Sequence, residues 1–384
     1  MESLISRRDA ESAISSEYVV QRDPFLRLFY LKWKWRTRHV IVFMSFISAL
    51  LFFGAGLVAS SLYSGPGTRL ETPVNLGFLV FWVLVLSPLL WGAYIWQARS
   101  IPHLIEDLAT NGILGDFTSD NFKKAIDQAK VILGQMIWKP SYVIAAISIV
   151  LFWVIASQYI WTTQYQENQY WFVIKWYFPI RLFAHSIGLF VLILLIFRQM
   201  VFVAGLFRLF SRIEVKIKPL DPDEGGGLGA LGNFAKASLW FSIGLGLIAV
   251  SYGLFTSEMG TDLLHRFDLV AFYGLYIILV PVALLAPILS VRSAMLRARS
   301  EVLRPIAQEF QEILARAGLS LSTANTDLKD LDDTLTQLQR HRELIIDTYP
   351  TVPISIRSLR RFSLTALLPL ASGILSLVLQ LFEK

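Results

Sequence analysis

Asp221, Asp223 and Glu224 fall within four positions, directly before Gly225, Gly226 and Gly227. Carboxylates on a turn beside freely bending backbone are oxygen ligands for a hard cation such as Ca²⁺. The spacing lacks the further ligands and the terminal Glu of an EF-hand loop. An Asp-Pro turn followed by a glycine hinge accounts for the same residues. Gly227, Gly229 and Gly232 also spell G-x-G-x-x-G, and residues 212–218 before them alternate Ile213, Val215 and Ile217 as a strand would. A dinucleotide site needs a βαβ unit and an acidic residue about 20 positions on. Residues 252–256 are apolar and aromatic instead, so the glycine spacing is coincidental.

Two ionisable residues stand inside apolar stretches. Arg198 lies within a couple of turns of one end of its stretch, close enough for its long side chain to snorkel out. His185 lies near the opposite end of the same stretch and has no evident partner. Metal-protease, nucleophile-elbow and P-loop motifs are all missing, and the chain has only five His, so it does not read as an enzyme. No cofactor is assigned. The centres of the apolar stretches also lack the acidic residues that secondary transporters bury.

The remaining candidates are mechanical. Ser238, Ser242 and Gly246 recur four apart, a spacing that lets helices approach closely or lines a wet path. Pro281 and Pro287 each remove a helix hydrogen bond and are candidate hinges.

The elements that must position these residues are membrane spans. Hydrophobic residues make up 54% of the 384 and charged ones only 17%, and the apolar residues gather in runs near 20, the length that crosses a bilayer as a helix. Seven such runs cover roughly 40–63, 75–97, 141–162, 182–205, 237–256, 268–290 and 362–382, the last diluted enough to be re-entrant. Lys and Arg divide 29 to 5 between the two sets of connections, which orients the N-terminus toward the cytosol and accounts for the net charge of +6 without nucleic acid. Trp33, Trp35, Trp96, Trp138 and Trp240 sit at span ends on the cytosolic side, and Trp161, Trp171 and Trp176 cluster on the other. The absence of Cys excludes disulfides, and no removable signal peptide is read at the N-terminus.

The expected fold is thus an all-α polytopic transmembrane helical bundle. Its parts are a basic cytosolic segment (1–39), a transmembrane hairpin (40–97), cytosolic amphipathic helices (98–140), and a four-span region (141–290) carrying the glycine-rich loop 218–236. A cytosolic helical hairpin (291–361) and a C-terminal transmembrane or re-entrant helix (362–384) follow. Residues 119–137 put Phe122, Ile126, Ala129, Leu133 and Met136 on one face, behind the N-cap candidates Thr118, Ser119 and Asp120. Span six is expected to continue through 291–317 to a C-cap at Gly318. A second helix, about 326–347, repeats its leucines at Leu328, Leu331, Leu335 and Leu338.

The stretch Pro219-Leu220-Asp221-Pro222-Asp223 with Gly226-Gly227-Leu228-Gly229 resembles a P-x-x-P-D-x-x-G-G-L-G loop of uncharacterised bacterial multi-pass membrane proteins. Asp221 stands where that pattern has His, and the resemblance covers one loop and implies no activity. The expectation is a homo-oligomeric ion channel of a bacterial inner membrane, gated through its cytosolic helices and surrounded by lipid. A non-conducting scaffold that recruits a cytosolic protein, and a lipid-handling protein with lipid at Arg198 or His185, are the alternatives.

Overall fold

A computed structural model describes residues 15–51, 80–115, 119–163, 177–218, 221–223, 225–239, 267–323 and 328–353, with positions 242, 244 and 246. Every regular element among the described residues is helical. The chain opens with α1 (Ser16–Arg22) and the single turn α2 (Pro24–Leu26), which passes into a π-helical turn, Arg27–Lys32. Then come α3 (Thr37–Ala49), α4 (Ser87–Thr110, entered through a π-helical turn at Trp82–Leu86), α5 (Asp120–Met136) and α6 (Lys139–Thr163). The long α7 (Tyr177–Arg212), α8 (229–239), α9 (Phe267–Thr323) and α10 (Leu328–Thr348) complete the order. The seventh apolar stretch, 362–382, lies outside the described residues.

Helix α5 follows its sequence closely. Ser119 accepts a hydrogen bond from the Phe122 N–H at 3.2 Å, an N-cap worth about 1 kcal/mol. Phe122, Ile126, Ala129, Leu133 and Met136 are all buried, as their spacing requires. Gly205 of α7 is the reason this helix fits so closely. A Cβ at Gly205 would collide with the Ile132 side chain of α5.

Two helices run past a boundary in the sequence pattern. Helix α4 runs on without a break from the second apolar stretch to Thr110, because Ala98, Ile101, Leu104, Ile105 and Leu108 keep a buried stripe going at helical spacing. Helix α9 runs through Gly318, which is therefore not its C-cap. A glycine inside a helix costs only about 1 kcal/mol, and nothing at 319–323 stops the helix sooner. The N-terminal segment is also more than a basic arm. Val19, Val20, Leu26 and Phe29 bury themselves in the main core, and α1 packs on α4.

Neighbouring pairs give the helix directions. Ile41 meets Gly92 while Ser48 meets Ser87, so α3 and α4 are antiparallel. Trp96 stacks on Phe234 while Leu89 lies against Gly244, so α8 also runs against α4. Leu90 faces Gly188 while Gln97 reaches Leu195 and Gln199, which makes α4 and α7 parallel. The stretches Asp120–Leu151 and Ser186–Arg212 are long and apolar enough to cross a membrane. In the first, α6 supplies the apolar part, presenting Val143, Ile144, Ile147, Val150 and Leu151 outward.

Candidate functional site

Four residues from four separate elements meet inside the bundle: Asp23 from the α1–α2 junction, Tyr94 from α4, Tyr142 from α6 and Arg198 from α7. Asp23 and Tyr94 are fully buried, and Arg198 is 1% exposed. Arg198 Nη2 donates to Asp23 Oδ2, and also to the hydroxyls of Tyr94 at 3.0 Å and Tyr142 at 3.1 Å. Those hydroxyls in turn donate to the same Asp23 oxygen, at 2.8 Å and 3.1 Å. The guanidinium carbon sits 4.2 Å from the centre of the Tyr94 ring, a cation–π contact.

The second Asp23 oxygen works locally. Oδ1 accepts from the N–H groups of Phe25 at 3.0 Å and Leu26 at 2.9 Å, capping α2, whose first residue Pro24 has no N–H to satisfy. One carboxylate therefore both folds the N-terminal turn and fastens it to three core helices. Phe25 lies against Trp91, Tyr94, Tyr142 and Phe190, with ring centres 6.0–6.3 Å away, which closes the node from that side. One turn along α4 from Tyr94, Gln97 donates to the Gln199 carbonyl oxygen at 3.1 Å and to the Leu195 backbone carbonyl at 3.3 Å. Arg198 Nη1, Gln97 Oε1 and Gln199 Nε2 are buried with no protein partner among the described residues.

Arg198 therefore does not snorkel to a membrane face and does not sit at a lateral opening. A buried guanidinium needs a compensating carboxylate close by, and Asp23 supplies it. Sequence reasoning missed Asp23 because it belongs to a polar segment with no apolar pattern. It missed Tyr94 and Tyr142 because neither stands out within an apolar, aromatic-rich stretch. The one available signal was Asp23-Pro24, a capping residue before a proline at the first helical position. His185 lies in α7, its side chain outside the described residues.

The glycine loop is a second carboxylate centre of a different kind. Asp223 Oδ1 accepts from the N–H groups of Gly225 at 2.8 Å and Gly227 at 3.0 Å, and Oδ2 accepts from Gly229 at 2.6 Å. Gly226 (φ 70°) and Gly227 (φ 89°) adopt the left-handed conformation that aims these N–H groups inward. Such a concavity of backbone N–H groups ordinarily binds an anion, and here the loop fills it with its own carboxylate. Partial burial works to raise the Asp223 carboxyl. The N–H groups of Gly227, Gly229 and Gly225 outweigh it and hold the group below the usual carboxylate range.

This geometry explains the loop motif without a ligand. Asp223 is the anchor, Gly226 and Gly227 supply the positive φ, and Leu228 is fully buried. Gly229 has no room for a Cβ, which would lie 2.8 Å from that of Asp223. Asp221 accepts from the Asp223 N–H at 3.2 Å. Three backbone N–H groups take three of the roughly four acceptor sites of the Asp223 carboxylate. Glu224 lies outside the described residues, among which no group of three His, Asp or Glu could hold a metal ion.

The segment before the loop is extended, with Ile213, Val215 and Ile217 buried as their alternation implies, but it forms no strand. Lys216 N–H donates to the Ile113 carbonyl and Lys218 N–H to the Gly226 carbonyl, both at 3.1 Å. Asn121 of α5 donates to the Glu214 carbonyl at 2.9 Å. From the other side, Pro350 and Pro353 close over Gly226 and Gly225. The loop therefore joins the α4–α5 turn to the segment after α10.

Ser238, Ser242 and Gly246 are buried within the chain, and the Ser242 hydroxyl turns back to the Ser238 carbonyl at 3.1 Å. Helix α9 continues through Pro281, Pro287 and Pro305. Pro281 is exposed, and the Pro287 carbonyl, which is buried, accepts from Ser290 Oγ at 2.6 Å. Compared with known proteins, the chain matches no family model, no curated protein and no solved structure.

Proposed function

We propose that the chain is a seven-span membrane protein with a cytosolic N-terminus that works as a homo-oligomeric, gated ion channel. Its cytosolic hairpin, α9 with α10, is the gating lever. The observation that carries this reading is the continuity of α9, 57 residues from the expected sixth span to the hairpin tip. At 1.5 Å per residue that is a rod of about 85 Å. Two arginines join the rod to its surroundings: Arg297 donates to the Phe210 carbonyl at the end of α7 at 2.6 Å, and Arg299 donates to the Ile346 carbonyl of α10 at 3.2 Å. Displacement of α10 is thereby transmitted to α7, which carries Arg198. The alternating directions of α3, α4 and α8, and the parallel course of α4 and α7, agree with spans one, two, five and four of an up-and-down chain.

Ion flux from liposomes containing the purified protein is the direct test, read across Ca²⁺, pH, voltage and membrane tension. Flux that changes when Arg297→Gln uncouples α9 from α7 supports the lever. Silence under all these conditions ends the channel reading.

A second reading has its own support. The hairpin exposes Val302, Leu314 and Leu344, the last to 63%, which is suited to docking a cytosolic protein. A stoichiometric partner that is lost on Leu344→Asp, together with the absence of flux, favours a scaffold.

A further inference from the structure

A groove of about 380 Å³ runs along the start of α3, lined by Arg38, His39, Val42, Phe43 and Phe46. These residues recur at helical spacing on one side of α3, over about 12 Å of helix axis, and the groove wall is almost wholly apolar. Arg38 and His39 stand exposed at its mouth, at the start of α3, and further along the helix Val42 is 67% and Phe46 62% exposed. The wall is rigid. The Phe43 ring packs edge-on against Trp35 at 4.9 Å and Trp33 at 6.2 Å, and Trp35 stacks on the buried Phe29 at 5.9 Å.

The segment that leads into this mouth carries charge of one sign. Arg27, Lys32, Lys34 and Arg36 are exposed in it, and the sequence has no Asp or Glu between Asp23 and Glu71. None of Lys32, Lys34, Arg36 and Arg38 has a carboxylate partner among the described residues. Lys34 adopts a left-handed backbone (φ 53°), uncommon away from glycine, at the corner between the π-helical turn and α3. Asp23 fastens this basic, aromatic corner to the core, so its position is fixed rather than that of a loose polybasic tail.

We infer that this groove binds one anionic phospholipid of the cytosolic leaflet, its phosphate on Arg38 and His39 and one acyl chain along Val42, Phe43 and Phe46. A cation-to-apolar sequence over this length matches the polarity of a phospholipid from headgroup into acyl chain. The unpaired positive charge selects an anionic headgroup over a zwitterionic one. The inference rests on the membrane reading above but not on conduction.

Titration of the detergent-purified chain with phosphatidylglycerol and with phosphatidylcholine, followed by native mass spectrometry, tests it. Phosphatidylglycerol is expected to bind first, with Arg38→Gln weakening it about fivefold, the effect of one surface cation. Phe46→Ser weakens both lipids equally and preserves the preference, whereas Arg208→Gln, a cation elsewhere on the same side, changes neither. Equal affinity for the two lipids, an equal loss in Arg208→Gln, or displacement of the lipid by inorganic phosphate overturns the site. A chain that stays soluble without detergent overturns the membrane reading and the site together. Loss of flux with lipid binding intact removes only the channel.

Discussion

Asp23 and Asp223 are both carboxylates with both oxygens engaged, yet they are satisfied by opposite routes. The partners of Asp223 are backbone N–H groups two, four and six residues ahead, so its centre closes within one loop. The long-range partners of Asp23 lie 71, 119 and 175 residues away and bring a full guanidinium into the core. The first arrangement needs only a turn, and its cost is positive φ at two glycines. The second needs the whole bundle, and its cost is the desolvation of two charges that must then not be separated. A local carboxylate shapes its own loop, whereas a distant one ties elements together.

The largest effect that sharpens this contrast is at the buried pair. Asp23→Ala leaves Arg198 buried and unpaired and is expected to cost about 3–5 kcal/mol. Asp23→Leu combined with Arg198→Met should recover most of that loss. Thermal unfolding of Asp23→Leu, of Arg198→Met and of their double measures it. Strict additivity of the two changes would refute the pair as the reason Asp23 is buried.

Gly227→Ala comes next. It forces alanine into the left-handed region and sets a Cβ 2.7 Å from Ile113, for about 2–3 kcal/mol. An unchanged melting curve would mean that the loop is not seated on the α4–α5 turn.

Asp223→Ala is expected to cost about 2 kcal/mol, because water replaces part of what three N–H groups lose. Its pH dependence follows from the depressed carboxyl. The stabilisation is complete above the unfolded carboxyl value of about 3.9 and is lost as pH falls through the lower folded value. The stability gap between the native chain and Asp223→Asn should therefore close in acid, and a gap that widens there contradicts the assignment.

Ser119→Ala should cost the least, about 1 kcal/mol, through the N-cap of α5, an interaction as local as that of Asp223. Amide exchange confined to the first turn of α5 would show it. Protection lost across α4 and α7 would mean that the cap supports more than its own helix.

Much of the local structure was legible. The spacing of Phe122, Ile126 and Leu133 gave a buried face, Ser119 gave a cap, and Ile213, Val215 and Ile217 gave an alternating buried edge. The turn residues around Asp223 were legible as a turn. That Asp223 fills the glycine N–H groups was not, because its two oxygens serve a cation and a backbone nest equally well on paper.

By itself the sequence determined the helical character, the apolar stretches and the uneven distribution of Lys and Arg among their connections, since these follow from composition and periodicity within a few turns of chain. Only the tertiary structure decided that Arg198 is buried against Asp23 under two tyrosine hydroxyls, and that α9 runs past Gly318. A charge is stable in a core only when a distant partner arrives to meet it, and nothing within a few residues of Arg198 could announce which residue that would be.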